Sequence, residues 1–114
     1  MNISHEDYSV NYDESSGLIQ CEGSFRLRGS EEYKPILDLL LGAADAAPDH
    51  LTLDLRELKF LNSSGINTLS KFIIQVRKQP ATKVLIRGST EHPWQGKSLK
   101  NFQRLLPALE LVIE

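Results

Sequence analysis

With one cysteine, Cys21, the chain can form no internal disulfide. No base and no second cysteine stands near it in sequence, so the thiol reads as a buried core group in a reducing compartment. No apolar run approaches the roughly 20 residues that a membrane-spanning helix needs. The opening residues, Met1 to Asp7, are polar and acidic, unlike a secretory or transit signal. They read as a loose leader, and the expected location is the cytoplasm. A basic excess is also missing: the net charge is -2, which lacks the footprint of a nucleic-acid binder. Neither GxGxxG nor GxxxxGK[ST] occurs, so the glycine loops that bring backbone N–H groups onto a phosphate are absent. His5, His50, His92 and Cys21 have no metal-ligand spacing. No cofactor and no metal are expected.

What remains is an ordinary globular composition, 40% apolar and 25% charged, which argues against disorder. Residues 1–114 read as a single domain. Tyr8 to Tyr12 alternates as a strand does, Asp13 to Gly17 is a polar turn, and Leu18 to Phe25 gives an antiparallel second strand. Gly23 marks a bulge or a close backbone approach. Ser30 is a candidate helix cap, but Pro35 would break a helix interior, so a regular helix is expected from Pro35, ending over Ala46 to His50. Leu51 to Leu55 alternates as a half-buried strand. Ile66, Leu69, Phe72, Ile73 and Val76 recur at helical spacing. Lys83 to Arg87 reads as a buried parallel strand, Trp94 to Leu106 as a third helix, and Leu109 to Ile113 as a last strand. The order ββαβαβαβ implies an α/β fold, with a mixed, mostly parallel sheet of about five strands and helices packed on it.

Between the central strand and its helix lies Asn62-Ser63-Ser64-Gly65. Asn and Ser are favoured helix caps, and a helix start carries unpaired N–H groups and partial positive charge. A hydrolase elbow is excluded, since neither serine sits in GxSxG. Asp54 reads as a carboxylate paired with Arg56 or a lysine, or accepting from a neighbouring N–H. His92 follows in chain order, in the loop after the next strand, and Pro93-Trp94 reads as a structural turn.

The whole stretch, an LxLDL strand, the apolar pair Phe60-Leu61, then Asn62-Ser63-Ser64-Gly65-Ile66 and a helix, resembles the STAS domain of bacterial anti-sigma factor antagonists. The resemblance implies a non-enzymatic signalling protein that works through protein–protein contact. It implies phosphorylation at Ser63, with Ser64 as the alternative acceptor, and a partner surface at Asn62, Ser63, Ser64, Gly65 and Ile66. The partners it implies are a serine kinase and anti-sigma factor of the histidine-kinase-like ATPase type and a PP2C-like phosphatase. Nucleic acid, membrane and obligate self-association are not implied, and the expected state is a monomer. Three departures stand out. Asn62 occupies the family's aspartate position, Gly23-Ser24-Phe25-Arg26 replaces Gly-x-Leu-Asp, and the usual fourth helix is absent at the C-terminal end. A constitutive, unphosphorylated scaffold of the same fold is the alternative function.

Overall fold

The computed structural model describes residues 2–46 and 49–114. Its elements run β1 (Asn2–Ser4), β2 (Tyr8–Asp13), β3 (Leu18–Phe25), α1 (Gly29–Ala46), β4 (His50–Leu61), α2 (Ser63–Val76), β5 (Lys83–Gly88), α3 (Pro93–Leu105) and β6 (Glu110–Ile113). Among the described residues six strands form one sheet, in the spatial order β1-β2-β3-β4-β5-β6. The first three are antiparallel and β3 to β6 are parallel. Strand order never reverses, and parallel crossovers are right-handed almost without exception. All three helices therefore lie on one face of the sheet.

The core sits between that face and the helices. Val10 and Tyr12 of β2, Ile19, Cys21 and Phe25 of β3, Leu51, Leu53 and Leu55 of β4, and Val84 and Ile86 of β5 point into it. The period-2 alternation read from the sequence is the cause, because successive strand side chains face opposite sides. Ile36, Leu40 and Ala43 of α1, Leu69, Phe72 and Ile73 of α2, and Leu99 and Phe102 of α3 close it from above. Burial pushes the Cys21 thiol up to about 12, with Asp54 and Glu22 adding to the effect, so it stays protonated as a small core group. None of the helices among the described residues is long and apolar enough to cross a membrane.

The α/β class, the mostly parallel sheet and the set of three helices agree with the sequence reading, and several details correct it. The leader is not loose over residues 2–4: Ile3 pairs with Val10 and turns toward the core, adding a sixth strand. Helix α1 begins at Gly29, with Ser30 and Pro35 inside it rather than at its start. Pro35 is exposed, as is Glu31 one turn earlier. The Glu31 carbonyl that loses its N–H partner is thus left toward water, which limits the cost of the proline. Ala47 and Pro48, expected near the end of this helix, lie outside the described residues. Strand β4 does not stop at Leu55 but runs twelve residues to Leu61. Gly23 makes the close approach its position suggested: it has φ +91°, and a Cβ there would strike the Asp7 carbonyl oxygen.

Candidate functional site

The β4–α2 junction is built around Asn62. Its backbone N–H donates to the Phe25 carbonyl at 3.1 Å, and its carbonyl accepts the first helical N–H, from Ile66, at 2.9 Å. The side-chain oxygen Oδ1 accepts the Gly65 N–H at 2.9 Å, the N-cap bond that the sequence predicts. The same oxygen accepts the Tyr33 hydroxyl at 2.7 Å, and Nδ2 donates to the Leu27 carbonyl at 2.7 Å. An aspartate could make the first two of these bonds but not the third, since a carboxylate has no N–H to donate. The amide, where the resemblance implies an aspartate, fastens the β3–α1 connection to the start of α2.

Tyr33 reaches this cap from inside α1. The residue is 1% exposed, and burial pushes its hydroxyl up to about 12, so it remains a donor. Gly65 makes room for it, since a Cβ at Gly65 would lie 2.8 Å from the Tyr33 hydroxyl oxygen and against Leu61. Neither role was legible in the sequence, where Tyr33 falls in a segment expected to precede the regular helix.

The two serines differ. Ser64 is half-buried and its Oγ accepts the Gly29 N–H at 3.2 Å, a second tie between the two connections, while its carbonyl accepts the Thr68 hydroxyl at 2.9 Å. Ser63 is exposed, and its hydroxyl makes no hydrogen bond to the described residues. It stands at the first position of α2, where the helix end favours negative charge. Ile66 is half-buried behind it. Phe60, two residues before the cap, is 40% exposed with the Arg26 guanidinium 4.8 Å above its ring.

His92 is not brought to Ser63 as a base. Its Nε2 lies 3.0 Å from the Arg56 carbonyl, which can only accept, so the ring donates there. Its neighbours do the same work. Trp94 Nε1 donates to the Leu58 carbonyl at 3.1 Å, and Gln95 Nε2 donates to Leu55 and Leu58 at 2.7 and 3.1 Å. Gln95 Oε1 accepts the Ser89 N–H at 2.8 Å. These carbonyls need partners because β4 pairs with β5 only as far as Asp54, and its register against β3 then shifts at two places. The sequence reading missed Gln95; the available signal was a polar residue on the inner stripe with Leu99 and Phe102.

Asp54 is 6% exposed and bonded by Arg56 through Nε at 3.0 Å and Nη2 at 2.8 Å, with the Arg56 N–H adding a third bond at 3.1 Å. Burial pushes its carboxyl up, but the Arg56 bonds and the charges of Arg56 and Arg87 outweigh this and hold it below its ordinary value. Glu114 joins the cluster through Arg87 and, at 3.6 Å, Arg56. Among the described residues no group of three or more His, Cys, Asp or Glu side chains could hold a metal ion.

The sequence matches no family model and no curated protein. Several solved chains match, three of them over almost the whole chain. One is a chain of the complex of the diguanylate cyclase SiaD with its activator SiaC from Pseudomonas aeruginosa, with TM-score 0.73, 13% identity, and 99% of this chain and 97% of that one covered. SiaC of Pseudomonas aeruginosa matches with TM-score 0.73 and 14% identity, over 100% of this chain and 96% of that one. Apo-SiaC from the same organism gives 0.72 and 15%, over 98% and 93%. The chain has a STAS-like fold.

One expectation is overturned by this likeness. The resemblance read from the sequence implied a kinase of the histidine-kinase-like ATPase type and a PP2C-like phosphatase as partners. The STAS-like neighbour SiaC is instead an activator held in complex with a diguanylate cyclase.

Proposed function

We propose that this STAS-like chain is a non-enzymatic, cytoplasmic regulatory protein of one domain, whose binding to a protein partner is switched by phosphorylation of Ser63. The observation that carries the reading is the contrast at the cap. Asn62, Ser64 and Gly65 are engaged in holding two connections together, while Ser63 beside them is exposed with an unengaged hydroxyl. A phosphate adds a charge of about -1.5 to -2 at neutral pH. The start of α2 tolerates that charge, since it is a helix N-terminus, whereas a partner surface packed on Ser63 would have to desolvate it. The fold survives and the contact is lost. Ser63 is the centre of the contact, with half-buried Asn62, Ser64 and Ile66 around it and Gly65 buried beneath them. The neighbour's pairing with a diguanylate cyclase supports an effector enzyme as the partner class.

Intact-mass measurement of the protein isolated from its own cells tests the switch. The expected result is a phosphorylated population that disappears in Ser63→Ala and persists in Ser64→Ala. A constitutive scaffold is the second reading, favoured by the Asn62 network, which serves the fold whether or not Ser63 is modified. It prevails if no phosphate is carried under any growth condition and Ser63→Asp binds partners as the parent does.

A further inference from the structure

Among the described residues the sheet ends on two free edges, β1 and β6, and they are not alike. Strand β1 is three residues long, and its Asn2 and Ser4 are polar and exposed. Strand β6 holds Leu111, Val112 and Ile113 in succession, and Val112, on the face away from the helices, is 42% exposed. Lysine, proline and bulges are devices that blunt a free edge. Strand β6 contains neither residue, and its register against β5 is continuous from Glu110 to Ile113. The phase of the ladder decides which main-chain groups stay open. Glu114 donates to the Gly88 carbonyl at 3.0 Å and accepts the Thr90 N–H at 2.9 Å, so its groups face β5. Direction alternates along a strand, so Val112 and Glu110 face β5 too, and the N–H and C=O groups of Leu111 and Ile113 point off the sheet. Leu109, in the same phase, is already engaged: it donates to the Leu106 carbonyl at 2.9 Å and accepts Gln103 Nε2 at 3.1 Å. The outward groups of Leu111 and Ile113 have no such partner among the described residues.

We infer that the β6 edge pairs antiparallel with the β6 edge of a second copy of this chain, about a two-fold axis at Val112. Leu111 then stands opposite the second copy's Ile113, and Ile113 opposite its Leu111. Each outward N–H meets an outward carbonyl, the doubly bonded pair of an antiparallel ladder. Between these pairs Val112 meets the second copy's Val112 in the closer, non-bonded pair, which buries the exposed side chain. A slip of the axis to Leu111 would set Ile113 against Leu109, whose groups are taken, so the axis at Val112 is the better register. The axis keeps both helix layers on one side. Half-buried Leu111 and Ile113, packed on the core, then meet their counterparts and the apolar layer runs on across the seam. An isolated foreign strand would satisfy the hydrogen bonds but bring no second layer. Glu110 opposes the second copy's Glu114, whose carboxylate is already held by Arg87 and, at 3.6 Å, by Arg56. A four-residue edge spans about 13 Å and covers less than the roughly 800 Å² per partner of a standard interface, so the pair is weak and concentration-dependent. It is isologous and closes at two copies. Strand β4, which leads to Ser63, is two strands inward, so the pairing is independent of the proposed switch and gives one particle two Ser63 surfaces.

Sedimentation equilibrium of the purified full chain, from about 10 µM to about 1 mM, tests the pairing. A monomer–dimer equilibrium is expected, with amide exchange at Leu111 and Ile113 slowed at the highest concentration. Val112→Lys sets two ammonium groups against each other at the axis, and Ile113→Pro deletes an outward N–H without touching the ladder to β5. Each variant, checked for parental melting, is expected to raise the dissociation constant at least about tenfold. Should Ile113→Pro fail to fold, Val112→Lys decides, since that side chain is exposed and its main chain is unchanged. A chain monomeric throughout the range overturns the proposal, as does growth beyond two copies. So does a dimer whose Leu111 and Ile113 amides exchange as in the monomer, or one that Val112→Lys leaves unmoved.

Discussion

Helices α2 and α3 both start just beyond the C-terminal end of a parallel strand, but their first turns are used differently. At α2 the cap is a side chain, Asn62, and the first helical residue looks outward with a free hydroxyl. At α3 the cap position is His92, whose side chain makes no capping bond, and Pro93 removes the need for one N–H partner. Its ring and the side chains of Trp94 and Gln95 turn inward to hold carbonyls of β4. One start is therefore a display surface and the other is a clamp. The difference lies in what the preceding strands require. Strand β5 is paired along its length, whereas the second half of β4 has lost β5 and needs side chains to take its place.

The comparison predicts a ranking of effects. The largest belongs to Gln95→Ala, which leaves the Leu55 and Leu58 carbonyls and the Ser89 N–H without this partner in a fully buried place; a loss of about 3 kcal/mol is expected in urea unfolding. Next comes Asn62→Ala, about 2 kcal/mol by the same measurement, because the cap and both cross-ties go together. Asn62→Asp should cost less, about 1 kcal/mol, since it keeps the acceptor and loses only the donor to Leu27. If Asn62→Ala proved costlier than Gln95→Ala, the division into display and clamp would fail.

A smaller effect concerns pH. Asp54 has a folded value held below the ordinary 3.8, so its contribution is present above that value and is lost as pH falls through the lower folded one. Unfolding midpoints measured from pH 6 downward should decline below about pH 4, and Asp54→Asn should flatten part of that decline. The smallest expected effect is that of Ser63→Ala on the fold, within about 0.5 kcal/mol, while the same variant abolishes phosphorylation and Ser63→Asp weakens partner binding in titration calorimetry. A large stability loss in Ser63→Ala would move Ser63 from display to structure.

The cap of α2 was legible in the sequence and the clamp at α3 was not. Asn62-Ser63-Ser64-Gly65 announces itself because a cap is a local arrangement: donor and acceptor lie three residues apart. The partners of Gln95 lie 37 and 40 residues away, on carbonyls freed by register shifts that no periodicity records. Tyr33 escaped for a similar reason, its acceptor being 29 residues distant. The leader was misread because Asn2-Ile3-Ser4 offers a single apolar residue, too little alternation to mark a strand. Pairing with Arg56 was foreseen for Asp54 because those residues are two apart.

The unreversed strand order has a further consequence. In doubly wound sheets small ligands settle in the crevice that opens where the order reverses and adjacent connections depart to opposite sides. Among the described residues this sheet contains no such switch point, so its carboxyl edge does not split between flanking layers. What it offers there is a continuous brow of connections, with Leu27, Gly29, Asn62 and Ser64 stitched to one another. The carboxyl edge is thereby closed by hydrogen bonds between consecutive connections, where a doubly wound sheet would be parted.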